Sequence, residues 1–120
     1  MTRVRYLLDE NTPHAIGDQL MRRNRDVTVY FMGVPPAPSL GTLDPEILLW
    51  LEQEDVLLVT RNRRSMPRHL DAHIQAGHNV PGILAIRNQA SIGATIDDLL
   101  LIAMTMRPNE YRNQIIYLPL

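Results

Sequence analysis

Residues 55–60 read Asp-Val-Leu-Leu-Val-Thr, and the four apolar positions in the middle of that run leave a strand no polar side. A strand with one wet face alternates apolar and polar residues, because successive side chains point to opposite faces. An unbroken apolar run has to be covered on both faces, the condition of a parallel sheet packed between helices. "GILAIR" (82–87) and "QIIYLPL" (114–120) carry the same signature, and residues 3–8 and 27–31 are two further β-rich runs.

Segments of helical length separate these five strand candidates. Thr12-Pro13 supplies a capping residue and a first-turn proline for a helix reaching about Asn24, with Ile16, Leu20 and Met21 on one face. Asp44-Pro45 repeats that signal ahead of "EILLWLEQE". Ser65 is placed to cap a helix through about Ala76, with Gly77 as its stop. Ser91 opens the longest helix, which carries an apolar stripe of Ile92, Ile96, Leu99, Leu100 and Ala103 and ends before Pro108. The alternation predicts an α/β fold of three layers in one domain over residues 1–120. Its expected core is a mostly parallel five-stranded sheet, order 2-1-3-4-5, with helices on both faces. Residues 32–43 hold three prolines and two glycines, too many for regular structure. They read equally as a surface loop beside a functional face and as a connector.

Composition removes several function classes. No apolar stretch approaches the roughly 20 residues that span a bilayer, and no apolar core follows "MTRVRY" as a signal peptide requires. The expectation is a cytoplasmic chain without membrane association. The absence of cysteine excludes disulfides, thiolate metal sites and cysteine nucleophiles. A formal net charge of −1 gives no global field that would attract nucleic acid. All twelve basic residues are arginine, which excludes Schiff-base and phosphate-loop lysine chemistry. Arg61, Arg63, Arg64 and Arg68 fall in one short stretch, and Arg22, Arg23 and Arg25 form a second group. Arginine's planar fork suits phosphate and carboxylate.

In open α/β sheets, ligands bind beyond the carboxyl ends of the strands, where the strand order reverses. In the expected order strands one and three meet there. Strand one ends in Asp9-Glu10-Asn11, and strand three runs into Thr60, Arg61, Asn62, Arg63 and Arg64. The pleat admits one of the two adjacent carboxylates to the crevice, and Asp9 is the choice. Asp44 and Glu46, at the start of the second helix, are within reach of the same rim. Clustered carboxylates and amides make a hard, oxygen-rich site suited to Mg²⁺ or Mn²⁺, and neighbouring arginines would hold a phosphate backbone. Spacing alone also fits Asp9, Asn11 and Thr12 that only shape a turn and cap a helix, since caps look alike everywhere.

His69 and His73 are four apart on the expected third helix, with His78 close behind, a spacing open both to Zn²⁺ and to plain surface histidines. No glutamate joins them in a zinc-hydrolase pattern. His69 could instead join the arginines as a phosphate contact. None of Ser39, Ser65 and Ser91 sits in a nucleophile elbow, and the aromatic residues are scattered and form no base-stacking row.

"YLLDEN", a short helix, "DVTVY", "DPEIL" and "VLLVTRNRRSM", in that order and spacing over most of the first 70 residues, resemble the small PIN-like proteins of prokaryotes. That family consists of Mg²⁺- or Mn²⁺-dependent ribonucleases, often toxins of toxin–antitoxin pairs. The resemblance implies metal ligands at Asp9, Asp44 and the position of Asn62, RNA as substrate, an antitoxin-like protein partner and a homodimer. The chain departs from the family where related sequences show threonine-x-Asp-x-Asp-Phe after the third strand. Here Thr60 is followed by Arg61, Asn62, Arg63, Arg64 and Ser65, so Arg64 stands in place of the second acid. A unit charge about 4 Å away is worth roughly 4 kcal/mol at an effective dielectric near 20, so Arg64 is expected to repel a cation.

Two functions follow. One is a ribonuclease with Asp9, Asp44 and Asn62 around the ion, and Arg61, Arg63, Arg64, Arg68 and His69 on RNA phosphates. The other is a degenerate PIN-like module that binds RNA or a partner protein through the same arginines. A response-regulator receiver would share the strand order but needs a lysine, which the chain lacks.

Overall fold

Among the described residues, five strands and four helices alternate strictly: β1 (Arg5–Leu8), α1 (His14–Arg23), β2 (Thr28–Phe31), α2 (Asp44–Glu54), β3 (Leu57–Arg61), α3 (Met66–Gln75), β4 (Ile83–Ile86), α4 (Ile92–Thr105) and β5 (Ile115–Leu118). The computed structural model describes residues 4–61 and 63–120. Residue 3, where the first strand was expected to start, and Asn62 lie outside the described residues. The sheet order is β2-β1-β3-β4-β5, and all four pairings are parallel. This is the expected three-layer α/β arrangement.

The unbroken apolar runs behave as their pattern requires. Tyr6 and Leu8 of β1, Leu57 and Val59 of β3, and Leu84 and Ile86 of β4 point to one side, against Ile16 and Leu20 of α1 and Ile96, Leu99 and Ile102 of α4. Leu7, Leu58 and Ile83 point to the other, against Ile47, Leu48 and Leu51 of α2 and Met66 and Leu70 of α3. Each such leucine or isoleucine contributes about 1.5–3 kcal/mol by leaving water. Gly17 lets α1 lie close to the sheet, since a Cβ there would fall 2.6 Å from the Phe31 ring. The Tyr6 hydroxyl, buried in the first of these layers, donates to the Leu99 carbonyl at 2.7 Å. Burial pushes the Tyr6 phenol well above its ordinary value of 10.0, with Tyr111 adding to the shift.

The helix starts differ from the sequence reading in an instructive way. Thr12 does not cap α1; Pro13 holds that position, and the Thr12 hydroxyl is committed elsewhere. Leu43 is the cap of α2, so Asp44 is its first residue and keeps its carboxylate free for another partner. Ser65 precedes α3 without a side-chain capping bond, whereas Ser91 accepts from the Ala94 amide at 3.1 Å and caps α4 as expected. Residues 32–43 form an irregular loop that delivers the chain from β2 to Asp44. Among the described residues, no helix is long and apolar enough to cross a membrane.

Candidate functional site

Asp9 is the residue after β1, and its amide still donates to the Val59 carbonyl at 3.1 Å, so the β1–β3 ladder carries it to the carboxyl edge of the sheet. Pleat alternation puts it on the side of Leu7, facing α2 and α3. The carboxylate is buried, with 3% of its surface exposed, while Glu10 is exposed. Of the adjacent pair, only Asp9 is buried.

Both Asp9 oxygens are occupied. Oδ1 accepts from the Asn11 amide at 3.1 Å and the Thr12 hydroxyl at 2.8 Å. Oδ2 accepts from the Thr60 hydroxyl and from Arg63 Nη2, the latter at 2.9 Å. Four donors fill the four lone-pair sites of a carboxylate. Arg63 then reaches the second acid, with Nη1 3.0 Å from Asp44 Oδ1. One guanidinium therefore bridges two carboxylates brought together from β1 and from the first turn of α2, where the helix dipole also favours a negative group. On the far side of Asp44, His69 Nε2 stands 3.7 Å from Oδ2. Hydrogen bonds to ionised groups are worth about 1.5–3 kcal/mol each where they are protected from water, and this bridge is three-quarters buried.

Mg²⁺ asks for near-octahedral oxygen ligands at about 2.0–2.1 Å, with one or two carboxylates facing it. Asp9 has no lone pair to spare, and the space between Asp9 and Asp44 is filled by a cationic side chain of the protein itself. As arranged, Asp9 and Asp44 do not fit a divalent ion, and Asn62, the third expected ligand, lies outside the described residues. Arg64 is exposed, and the cation between the acids is Arg63.

The arginine stretch is divided by the pleat. Thr60 shares the α2–α3 side with Leu58, whereas Arg61 shares the opposite side with Val59 and lines a hollow with Pro13, Arg87 and Thr95. Arg64 and Arg68 are exposed, while Arg63 is spent on the two acids. Glu46 is exposed and does not share the bridge. Sequence reasoning missed Thr12 and Thr60 as donors to Asp9. Counting alternate positions along β3 would have picked Thr60 and rejected Arg61.

His69 and His73 do not act together. His69 pairs with Asp44, while His73 Nε2 lies 3.3 Å from Glu52 Oε1, eight residues further along α2. His78 Nδ1 lies 3.0 Å from the same Glu52 oxygen. Glu52, His73 and His78 thus form a His/Glu cluster whose donor atoms lie within 4.8 Å of one another. It sits at the amino edge of the sheet, the opposite end from Asp9. Glu52 carries no sequence signal that links it to the histidines.

No family model, curated protein or solved structure matches this chain.

Proposed function

We propose that the protein is a catalytically degenerate PIN-like module whose carboxyl edge binds single-stranded RNA through phosphate contacts, without metal-dependent cleavage. The observation that carries this reading is the Arg63 bridge between Asp9 and Asp44, at 2.9 and 3.0 Å. A hydrolytic centre of this kind needs acids that present unsatisfied oxygens to a divalent ion. Here a guanidinium lies between the acids and offsets one of their two charges, which lessens their repulsion of a phosphate that approaches the rim. Arg64 and Arg68, both exposed and each next in sequence to a residue of the crevice (Arg63 and His69), are the phosphate ligands in this reading, together with His69. The PIN-like resemblance of the first 70 residues supplies RNA as the polymer. An antitoxin-like protein and a second copy of the chain are the partners that the same resemblance suggests.

The test is fluorescence anisotropy with a mixed-sequence single-stranded RNA, alongside a cleavage assay with Mn²⁺, with Mg²⁺ and with EDTA. Binding should persist in EDTA and weaken with salt at a slope of about −0.7 per phosphate contact. The double variant Arg64→Ala, Arg68→Ala should lower affinity at least tenfold, and no cutting should occur. Cutting that depends on Mn²⁺ and disappears in Asp9→Asn would restore the nuclease. Absence of RNA binding at low salt would leave a protein partner.

A further inference from the structure

We infer that Glu52, His73 and His78 form a Zn²⁺ site at the amino edge of the sheet, separate from the Arg63 crevice and independent of the RNA-binding reading. The site follows from the way α3 ends. Gly77, at φ +90°, lets the chain turn back, with its amide on the Ile74 carbonyl at 2.9 Å and the His78 amide on the His73 carbonyl at 3.1 Å. This double closure brings together the residue three positions before the C-cap, Ala76, and the residue two positions past it, which frequently make an apolar contact. Here both are histidines, and their rings stack with centroids 4.9 Å apart and planes 23° from parallel.

Glu52 completes the set from α2. Its Oε1 lies 3.3 Å from His73 Nε2 and 3.0 Å from His78 Nδ1. A tetrahedral zinc ion with bonds of about 2.0–2.1 Å has ligand-to-ligand edges of about 3.3 Å, so the edge to His73 already has the required length and the edge to His78 is slightly short of it. The third edge, between the imidazoles, closes with a small ring movement, since all donors lie within 4.8 Å. The groups around the ligands are also in place. The Asn79 amide donates to Glu52 Oε2 at 3.3 Å, leaving Oε1 as the ligand oxygen. Asn79 is itself pinned by Asn113, whose Nδ2 donates to Asn79 Oδ1 at 2.9 Å. Such outer contacts orient metal ligands and commonly change affinity by 10–100-fold.

The donor chemistry selects the ion. Two imidazoles and one carboxylate oxygen suit zinc and its transition-metal neighbours far better than Mg²⁺ or Ca²⁺. Three protein ligands leave the fourth position to water, on the side where His78 is 43% exposed. His73 Nε2 also lies 3.2 Å from the Asn79 carbonyl, and an imidazole nitrogen binds an ion only in its unprotonated form. The ion then ties α2, the end of α3 and the turn behind it into one unit.

The experiment is a Zn²⁺ titration of the full untagged chain against a chromophoric chelator, with thermal unfolding measured in parallel. One Zn²⁺ per chain is expected, with a dissociation constant of micromolar or lower and a thermal midpoint that rises with Zn²⁺. His78→Ala and Glu52→Gln should each weaken binding at least tenfold and remove the thermal shift, and His14→Ala should change neither. His78→Ala alters a half-exposed turn residue and Glu52→Gln keeps its side-chain shape, so loss of fold does not imitate loss of metal. Absence of stoichiometric binding overturns the site, and so does binding that survives both variants.

Discussion

At the carboxyl edge of the sheet two carboxylates share one guanidinium; at the amino edge one carboxylate is shared by two imidazoles. The same two helices, α2 and α3, supply residues to both ends. The first arrangement has its cation built into the chain, and Asp9 has every lone pair engaged. The second has an acid and two rings whose nitrogens converge on one point and can exchange a proton for a metal. A cluster of acids at a sheet end therefore does not by itself imply a metal centre. What decides is whether the protein has already supplied the positive charge.

The largest test of this contrast removes the fixed cation. Arg63→Met should lower stability by about 2–3 kcal/mol at neutral pH, because it leaves the buried Asp9 carboxylate short of a partner. Urea unfolding would measure it. In the same variant, millimolar Mn²⁺ should raise the thermal midpoint by filling the opened position, while the unaltered chain should show no response through this edge. If Mn²⁺ leaves Arg63→Met unchanged, the carboxyl edge has no latent metal geometry.

A smaller effect compares the two acids. Asp9→Asn replaces an oxygen that meets two donors with an NH₂ group and should cost about 1–2 kcal/mol. Glu52→Gln, at a site one-third exposed, should cost under about 1 kcal/mol in the absence of zinc. Equal losses in chemical denaturation would contradict the difference in burial between the edges.

Another small neutral-pH effect lies between the edges. Tyr6→Phe gives up the bond to Leu99 and should cost about 1 kcal/mol. The folded state raises the Tyr6 phenol above the ordinary value of 10.0 and so favours the neutral form. That stabilisation is complete below pH 10 and is lost as pH rises above it. Urea midpoints from pH 8 to 11 should fall steeply above pH 10 in the unaltered chain and less steeply in Tyr6→Phe.

Much of this architecture could be read in the residues before any coordinates. The double-sided apolar runs forced a parallel sheet, and the pleat chose Asp9 over Glu10. The helix starts were less legible, because threonine and aspartate serve a cap and another partner with the same atoms. Thr12 was committed to Asp9, three residues back in the same turn, and Asp44 to Arg63, 19 residues further along the chain. Arg63 and Arg64 look alike in sequence, and only the path of the chain after β3 decides which enters the crevice. Glu52 was invisible for the same reason: its partners, His73 and His78, come from another helix and the turn beyond it.

The loop that carries the chain from β2 to α2 has a practical side. Its entrance is fixed by the Met32 amide on the Leu8 carbonyl, and its exit by Asp44 on Arg63. Near the exit, Gly41 has nothing within 4 Å of where a side chain would begin. A guest segment spliced there would meet no part of either core, which makes Gly41 a natural port for a tag, a reporter or an extra recognition element beside the crevice.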